Sequence, residues 1–255
     1  MAEAAKESPR ERGDGGTSPR KRARVSVGED GRKPVALLTG ALGGIGSATA
    51  AVLKESGFEV IGMDRSQGES AADHFLQCDI RAFHTDANSV KDTVAKIRTI
   101  CQGKLDLLVN NAAYQIVKPV EDTTSTDWDL VMSTNVTAPF CLIREFLPEL
   151  KAARGSIVNV SSIHANLTKP GFVAYATSKG ALVSLSRALA VELGEYGVRV
   201  NAILPGLIKT DFAKELWTDP DRLERVENKV PLRRIGEPDD IAGCAHFLAS
   251  DAAAF

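Results

Sequence analysis

Tyr175 and Lys179 stand four residues apart in the stretch AYATSKGA, residues 174–181. On a helix that spacing puts both side chains on one face. A phenol titrates near about 10, too high for a base at neutral pH. A close ammonium favours the phenolate, by about one to three units. A pair so arranged can move a proton to or from an alcohol or carbonyl oxygen. A plainer reading competes with this one. Small residues are common where helices pack closely, and a Tyr–Lys pair at helical spacing is usually surface decoration. The rest of the sequence has to decide.

The pair needs a scaffold, and the apolar runs after Pro34 supply one. VALLTG (35–40), EVIGMD (59–64), FLQCDI (75–80), LDLLVNNAA (105–113), GSIVNVSS (155–162) and VRVNAILPG (198–206) read as buried strands. Helical stretches separate them, at about 44–56, 86–100, 126–151 and 174–197, with a last helix over 237–250. Continuous apolar strands alternating with helices predict an α/β fold: a single Rossmann-type, doubly wound parallel sheet with helices on both faces. Ligands of such sheets bind at the carboxyl ends of the strands. The less regular stretch 207–236 reads as a helical flap over that end.

TGALGGIG (39–46) joins the first strand to the first helix. Gly40 allows a sharp turn, Gly44 lets backbone approach a pyrophosphate, and Gly46 allows close helix–strand packing. The helix N-terminus adds unpaired N–H groups and partial positive charge. Asp64 ends the second strand 24 residues after Gly40, placed to accept ribose hydroxyls. Its carboxylate would repel a ribose 2′-phosphate and favours NAD over NADP. Arg65 beside it would pair with that phosphate and keeps NADP open.

With these residues in place the chain resembles the short-chain dehydrogenase/reductase family over residues 35–255. The matching motifs are TGALGGIG, the NNA of NNAAYQ, Asn135 in STNVTAP, Ser162 in NVSS, YATSK and PGLIKT. Asn135 to Ser162 spans 27 residues, Ser162 to Tyr175 spans 13 and Tyr175 to Lys179 four, so the motifs stand in register. The resemblance implies an NAD(P)-dependent oxidoreductase interconverting a small secondary alcohol and its ketone. It makes Tyr175 the acid–base, assisted by Lys179. Ser162 would bond the substrate oxygen, and Asn135 would hold a water relaying protons from Lys179. It also implies cofactor contacts from Thr39, Gly40, Gly44, Ile45, Gly46, Asp64, Arg65, Asp79, Ile80, Asn111, Tyr175, Lys179, Pro205, Gly206, Ile208 and Thr210, with Asn110 bracing the fourth strand. Taken singly, Asp79 also reads as a strand-terminal Asp, Asn110 as a strand cap and Thr210 as a helix N-cap.

The chain departs from the family in places. Ala113 replaces a usual glycine, the Asp64–Asp79 connection is short, and the usual last strand is missing after SDAAAF. Gln115, Ser162, His164 and Tyr175 are the expected substrate contacts. Gln115 and His164 match carboxylate-binding positions of bacterial 3-hydroxybutyrate dehydrogenases. Phe172 and Leu216 stand where that pattern wants a lysine and a glutamine, and with Trp217 they make part of the pocket apolar.

The whole chain sets outer bounds. It has 255 residues, 44% apolar and 25% charged, with a net charge of −2, so no global field draws it to nucleic acid or membrane. Cys78, Cys101, Cys141 and Cys244 are scattered without a CxxC pair, which predicts neither a disulfide framework nor a metal site. No run reaches membrane-span length, and the N-terminus has no apolar signal-peptide core. Residues 1–33 read as a disordered basic tail and 34–255 as the dinucleotide-binding domain. Residues 1–34 hold nine Lys/Arg against six Asp/Glu and no Leu, Ile, Phe, Tyr or Trp. The basic run at 20–24, after Ser18-Pro19, resembles a nuclear-import signal and also suits a solubilising tail. A cytoplasmic location is expected, with a nuclear one open. By family analogy the chain pairs as a homodimer or homotetramer. A catalytically silent NAD(H)-sensing regulator on the same fold is the competing reading. The intact Asn–Ser–Tyr–Lys set argues against it.

Overall fold

The computed structural model describes residues 31–86 and 88–254. The basic run at 20–24, Ser18-Pro19 and the expected tail up to residue 30 lie outside the described residues. Strands β1 (Val35–Thr39), β2 (Glu59–Asp64), β3 (His74–Gln77), β4 (Leu107–Asn110), β5 (Ser156–Val160) and β6 (Arg199–Ile203) form one sheet. All neighbours are parallel, in the order β3-β2-β1-β4-β5-β6. Successive residues of a strand face opposite sides, and β1 shows it. Val35 and Leu37 join one apolar layer, Ala36 and Leu38 the other. The doubly wound α/β reading is therefore correct, and the strand order reverses between β1 and β4, where a ligand crevice belongs.

Helices α1 (Gly44–Glu55), α2 (Ala82–Thr85), α3 (Lys91–Cys101), α4 (Ser125–Met132), α5 (Ala138–Glu145), α6 (Leu147–Ala153), α7 (Val173–Leu193), α8 (Lys214–Trp217), α9 (Pro220–Glu227) and α10 (Pro238–Ala249) follow in chain order. Ala50 and Leu53 of α1 pack with Ile241 and Ala245 of α10 on one face. Ile97, Leu142, Leu150 and Leu189, from α3, α5, α6 and α7, cover the other.

The continuous helix expected over 126–151 is broken twice. A π-helical turn occupies Ser133–Thr137, and Phe146 leaves helical geometry at φ −100°, ψ 16°. Pro139 and Pro148 sit in the first turns of α5 and α6, where a missing N–H costs little but a continuing helix would lose a bond. The helix expected from residue 86 starts only at Lys91, and β3 ends at Gln77 rather than Ile80. No helix spans the short connection between Asp64 and His74. The four cysteines are free thiols, and burial raises the pKa of each, that of Cys101 to about 12. No helix among the described residues is long and apolar enough to cross a membrane.

Two ties fix the edge of the sheet where its strands begin. The Ser156 hydroxyl and the Arg199 guanidinium both donate to the Leu248 carbonyl, fastening α10 to β5 and β6. Along the same edge Arg32 makes a bidentate pair with Asp106, at 2.7 and 2.9 Å, and Val35 N–H donates to the same carboxylate. The domain boundary drawn at residue 33 cuts this pair. Both side chains are mostly buried, and bidentate charge-assisted bonds exceed ordinary surface pairs. Arg32→Ala is therefore expected to lower unfolding free energy by about 1 kcal/mol, measured by denaturant titration.

Candidate active site

The crevice is assembled from strand ends that lock onto one another. Gly40 takes φ +69°, and a Cβ there would press on the Ala112 backbone and the Asn111 amide at 2.9 Å. A side chain at Gly46 would collide with the Gly40 carbonyl oxygen. The Thr39 hydroxyl accepts from the N–H groups of Asn111 and Ala112, at 3.0 Å each. The Asn111 amide donates to the carbonyls of Thr39 and Gly40. Thr39 and Asn111 thus spend these groups on shaping the turn. The N-terminus of α1 has no side-chain cap and no acidic residue in its first turn, which leaves it favourable to an anion. A Cβ at Gly44 would meet the Thr210 methyl at 2.9 Å, so the 207–211 segment lies directly over the glycine turn. Ile163 N–H donates to the Pro205 carbonyl, and Ile208 pairs with Gly236, which holds that segment in place. Gly206 lies beside the Ile163 side chain. Ile45 packs into the α1–α10 layer. This open, uncapped cradle fits a dinucleotide pyrophosphate.

Beside the glycine turn Asp64 accepts from Leu42 N–H (3.2 Å) and Ser66 N–H (3.0 Å), which fixes its carboxylate at the end of β2. Arg65 lies over the Tyr114 ring, 5.9 Å from its centroid. Asp79 is clasped by Arg81, whose bonds hold the carboxyl below its usual range even against partial burial. Ile80 is buried beside it. Sequence reasoning missed Arg81 and Tyr114. Arg81, two residues from an acid at a strand end, was the available clue.

Ser162, Tyr175 and Lys179 come together at the end of β5. Ser162 is extended and its hydroxyl accepts from His164 N–H (3.1 Å). The Tyr175 phenol is buried in α7 near the same hydroxyl, which favours its phenolate form. Lys179 is fully buried one turn along. Its Nζ donates to the Val160 carbonyl at 2.8 Å and lies 5.6 Å from the Tyr175 ring centroid. The electrostatics differ from the sequence expectation. Burial raises the Tyr175 pKa, with the nearby Ser162 hydroxyl working against it, and burial lowers Lys179 to about 7. Desolvation disfavours both charged forms, and in the protein alone it outweighs their mutual attraction.

Asn135 sits in the π-helical turn. Its oxygen accepts from Tyr114 N–H (2.8 Å), and its nitrogen donates to the Tyr114 carbonyl and the Ser178 hydroxyl, both at 2.9 Å. Both amide hydrogens are thereby taken, so a water at this side chain would have to donate to its oxygen. Ser178 donates in turn to the Tyr175 carbonyl (2.7 Å), and Ser161 to that of Lys179 (2.8 Å). A buried chain runs from Asn110 to Asn159 to Ser186 and ends on the Leu182 carbonyl. Only Asn110 and Asn135 of these were expected. The serines at i+3 from Tyr175 and before Ser162 were the readable clue.

His164 stacks on Phe172 with centroids 4.5 Å apart, and both rings approach Tyr175 edge-on. Phe212 lies 6.5 Å from the Tyr175 ring on another side, largely exposed. Gln115 is half-buried on the stretch after β4. Trp217 instead holds the flap, its ring N–H on the Thr210 carbonyl (2.8 Å). It also lines a separate cavity of about 390 Å³ with Lys209, Glu227 and Arg234.

A glycine cradle at the switch point of a doubly wound sheet, with a Ser–Tyr–Lys cluster on the next strand and helix, defines a dinucleotide-dependent oxidoreductase class. Residues 40–255 match the family model described as enoyl-(acyl carrier protein) reductase. Protein FixR of Bradyrhizobium diazoefficiens is 41% identical, covering 91% of this chain and 85% of its own. Human dehydrogenase/reductase SDR family member 4 is 36% identical over 87% and 82% of the two chains. A candidate NAD(P)-dependent gluconate 5-dehydrogenase from Beutenbergia cavernae, solved with NADP at low occupancy, is similar at a TM-score of 0.77. It is 33% identical, with 87% of this chain and 91% of that one covered. The chain belongs to the short-chain dehydrogenase/reductase family of NAD(P)-dependent oxidoreductases.

A lysine whose folded pKa is depressed binds its proton less tightly folded than unfolded, so its contribution to stability rises with pH between those two values. For Lys179 the window opens at about 7 and closes near the 10.5 of an ordinary lysine. Lys179→Met is expected to be more stable than the wild type near about pH 6, with the gap narrowing toward about pH 9. Melting temperatures of both proteins across this range are the check.

Proposed function

We propose that this protein interconverts a small secondary alcohol and its ketone with NAD as the preferred cofactor. The observation that carries the reading is the buried Lys179 amine, held on the Val160 carbonyl 5.6 Å from the centroid of the buried Tyr175 ring, with Ser162 at the end of the same strand. Bound NAD(H) supplies or accepts the hydride and, when oxidised, brings a positive charge that favours the phenolate. In reduction Tyr175 donates its proton to the carbonyl oxygen; in oxidation it takes the alcohol proton. Ser162 donates a hydrogen bond to the same oxygen as charge develops there. Lys179 keeps donors beyond its Val160 bond and offers them to the nicotinamide ribose. Asn135 positions the catalytic helix through Ser178, and its oxygen remains able to accept from a relay water.

Gly40, Gly44, Gly46 and the N-terminus of α1 receive the pyrophosphate, with Ile208 and Thr210 closing over it. Asp79 and Ile80 flank the adenine. Asp64 accepts the adenosine ribose hydroxyls and repels a 2′-phosphate. Arg65 leaves NADP a weaker second cofactor, being directed over Tyr114 rather than paired with Asp64. Gln115 and His164 face the substrate. Phe140 of α5 and Val191 of α7 stand exposed, which suits pairing of subunits through these helices.

Tyr175→Phe should cut turnover by at least about 10² and leave NADH binding nearly intact, as read by nucleotide fluorescence. Appreciable residual activity would count against the acid–base role. Asp64→Ala should narrow the NAD-over-NADP ratio of kcat/KM; an unchanged ratio moves the ribose contact elsewhere. A screen of alcohols and ketones followed at the NADH absorbance band, with both cofactors, separates an enzyme from a silent nucleotide sensor.

A further inference from the structure

Lys169 is an exposed cation set on the wall of the proposed substrate site. Its Nζ lies 4.6 Å from the centroid of the Phe172 ring. That ring is buried, stacks on His164 at 4.5 Å and meets Tyr175 edge-on at 6.0 Å. Lys169 is also close enough to His164 to help hold that imidazole neutral, after burial, which acts more strongly. Among the described residues no carboxylate pairs with Lys169. Its neighbour Lys118, whose backbone N–H bonds Gly171, is by contrast taken up by Asp127 at 2.7 Å. The wall therefore runs from the phenol, across an apolar aromatic face, to an unpaired ammonium held over that face by a cation–π contact.

We propose that Lys169 receives a carboxylate on the substrate, making the preferred substrate a hydroxy or oxo acid with a short apolar spacer between its reacting carbon and its carboxylate. This deepens the oxidoreductase reading and rests on it. One ammonium beside a neutral imidazole matches the single charge of a carboxylate. A phosphate dianion is generally met by several donors or a guanidinium fork. The ring of Phe172 excludes water from one side of the spacer, and the rim position leaves the pair open to salt.

The test uses the full chain with saturating NADH and two matched probe pairs, levulinate and benzoylacetate, each against its methyl ester. Binding is read by calorimetry and reduction by loss of NADH absorbance. In the wild type the carboxylates should bind about tenfold tighter than the esters, with the advantage shrinking as salt rises. Lys169→Gln should erase the difference by weakening the acids alone and leave ester binding and melting temperature unchanged. Lys169→Glu should reverse the preference. Equal affinity for acid and ester, no binding of either acid, or a preference that survives Lys169→Gln would overturn the inference. Reduction of the esters without any carboxylate preference would sink this inference and leave the oxidoreductase reading standing. A carboxylate preference in binding with no reduction of any probe or of any ketone in the wider screen would keep the anion site and count against that reading.

Discussion

The burial of one amine against the Val160 carbonyl governs the site. Lys179 reaches the end of β5 from inside α7, buried away from bulk solvent, and burial alone brings it to about 7. A permanently charged lysine there would need a counter-charge, and the protein supplies a carbonyl dipole instead. The fold must then keep α7 seated on β5, because a small rotation would strand the amine. The buried bonds serve that end. Ser161 holds the Lys179 carbonyl, Asn135 reaches α7 through Ser178, and the Asn110–Asn159–Ser186 chain ties β4 and β5 to the same helix. A buried hydrogen-bonded network fixes geometry more strictly than apolar packing does.

The nucleotide half is organised on a different principle. Its constraints are steric, since Gly40, Gly44 and Gly46 are each crowded by backbone or by Thr210. Two halves with distinct logic meet at Asn111 and Tyr114. Asn111 closes the glycine turn, and three residues later the Tyr114 backbone grips the Asn135 amide. The stretch after β4 therefore transmits the position of the cofactor cradle to the catalytic helix.

Much of this was legible in the residues. Alternation of apolar strands with helices gave the doubly wound sheet, and the spacing of Asn135, Ser162, Tyr175 and Lys179 placed them on elements that do converge. Side-chain commitments were less legible. Thr39 and Asn111 look like ligand contacts in a motif yet spend hydrogen bonds on the turn itself, and Asp79 is clasped by Arg81. The breaks at Ser133–Thr137 and Phe146 were hidden because helical periodicity survives a widened turn. Most telling was the charge balance of the Tyr–Lys pair. Sequence spacing reports proximity, but desolvation depends on how completely other segments cover the two groups, and here it raises the phenol and lowers the amine. Lys169 was invisible for a related reason: its place over Phe172 depends on how the 166–171 loop folds back.

The thiols of this protein carry a practical consequence. Each is partly or wholly covered, and in each the thiolate is disfavoured by its surroundings. Electrophiles that attack thiolates will meet little native competition at neutral pH, so a cysteine introduced on the flap would accept a fluorophore selectively without first stripping out the natural ones.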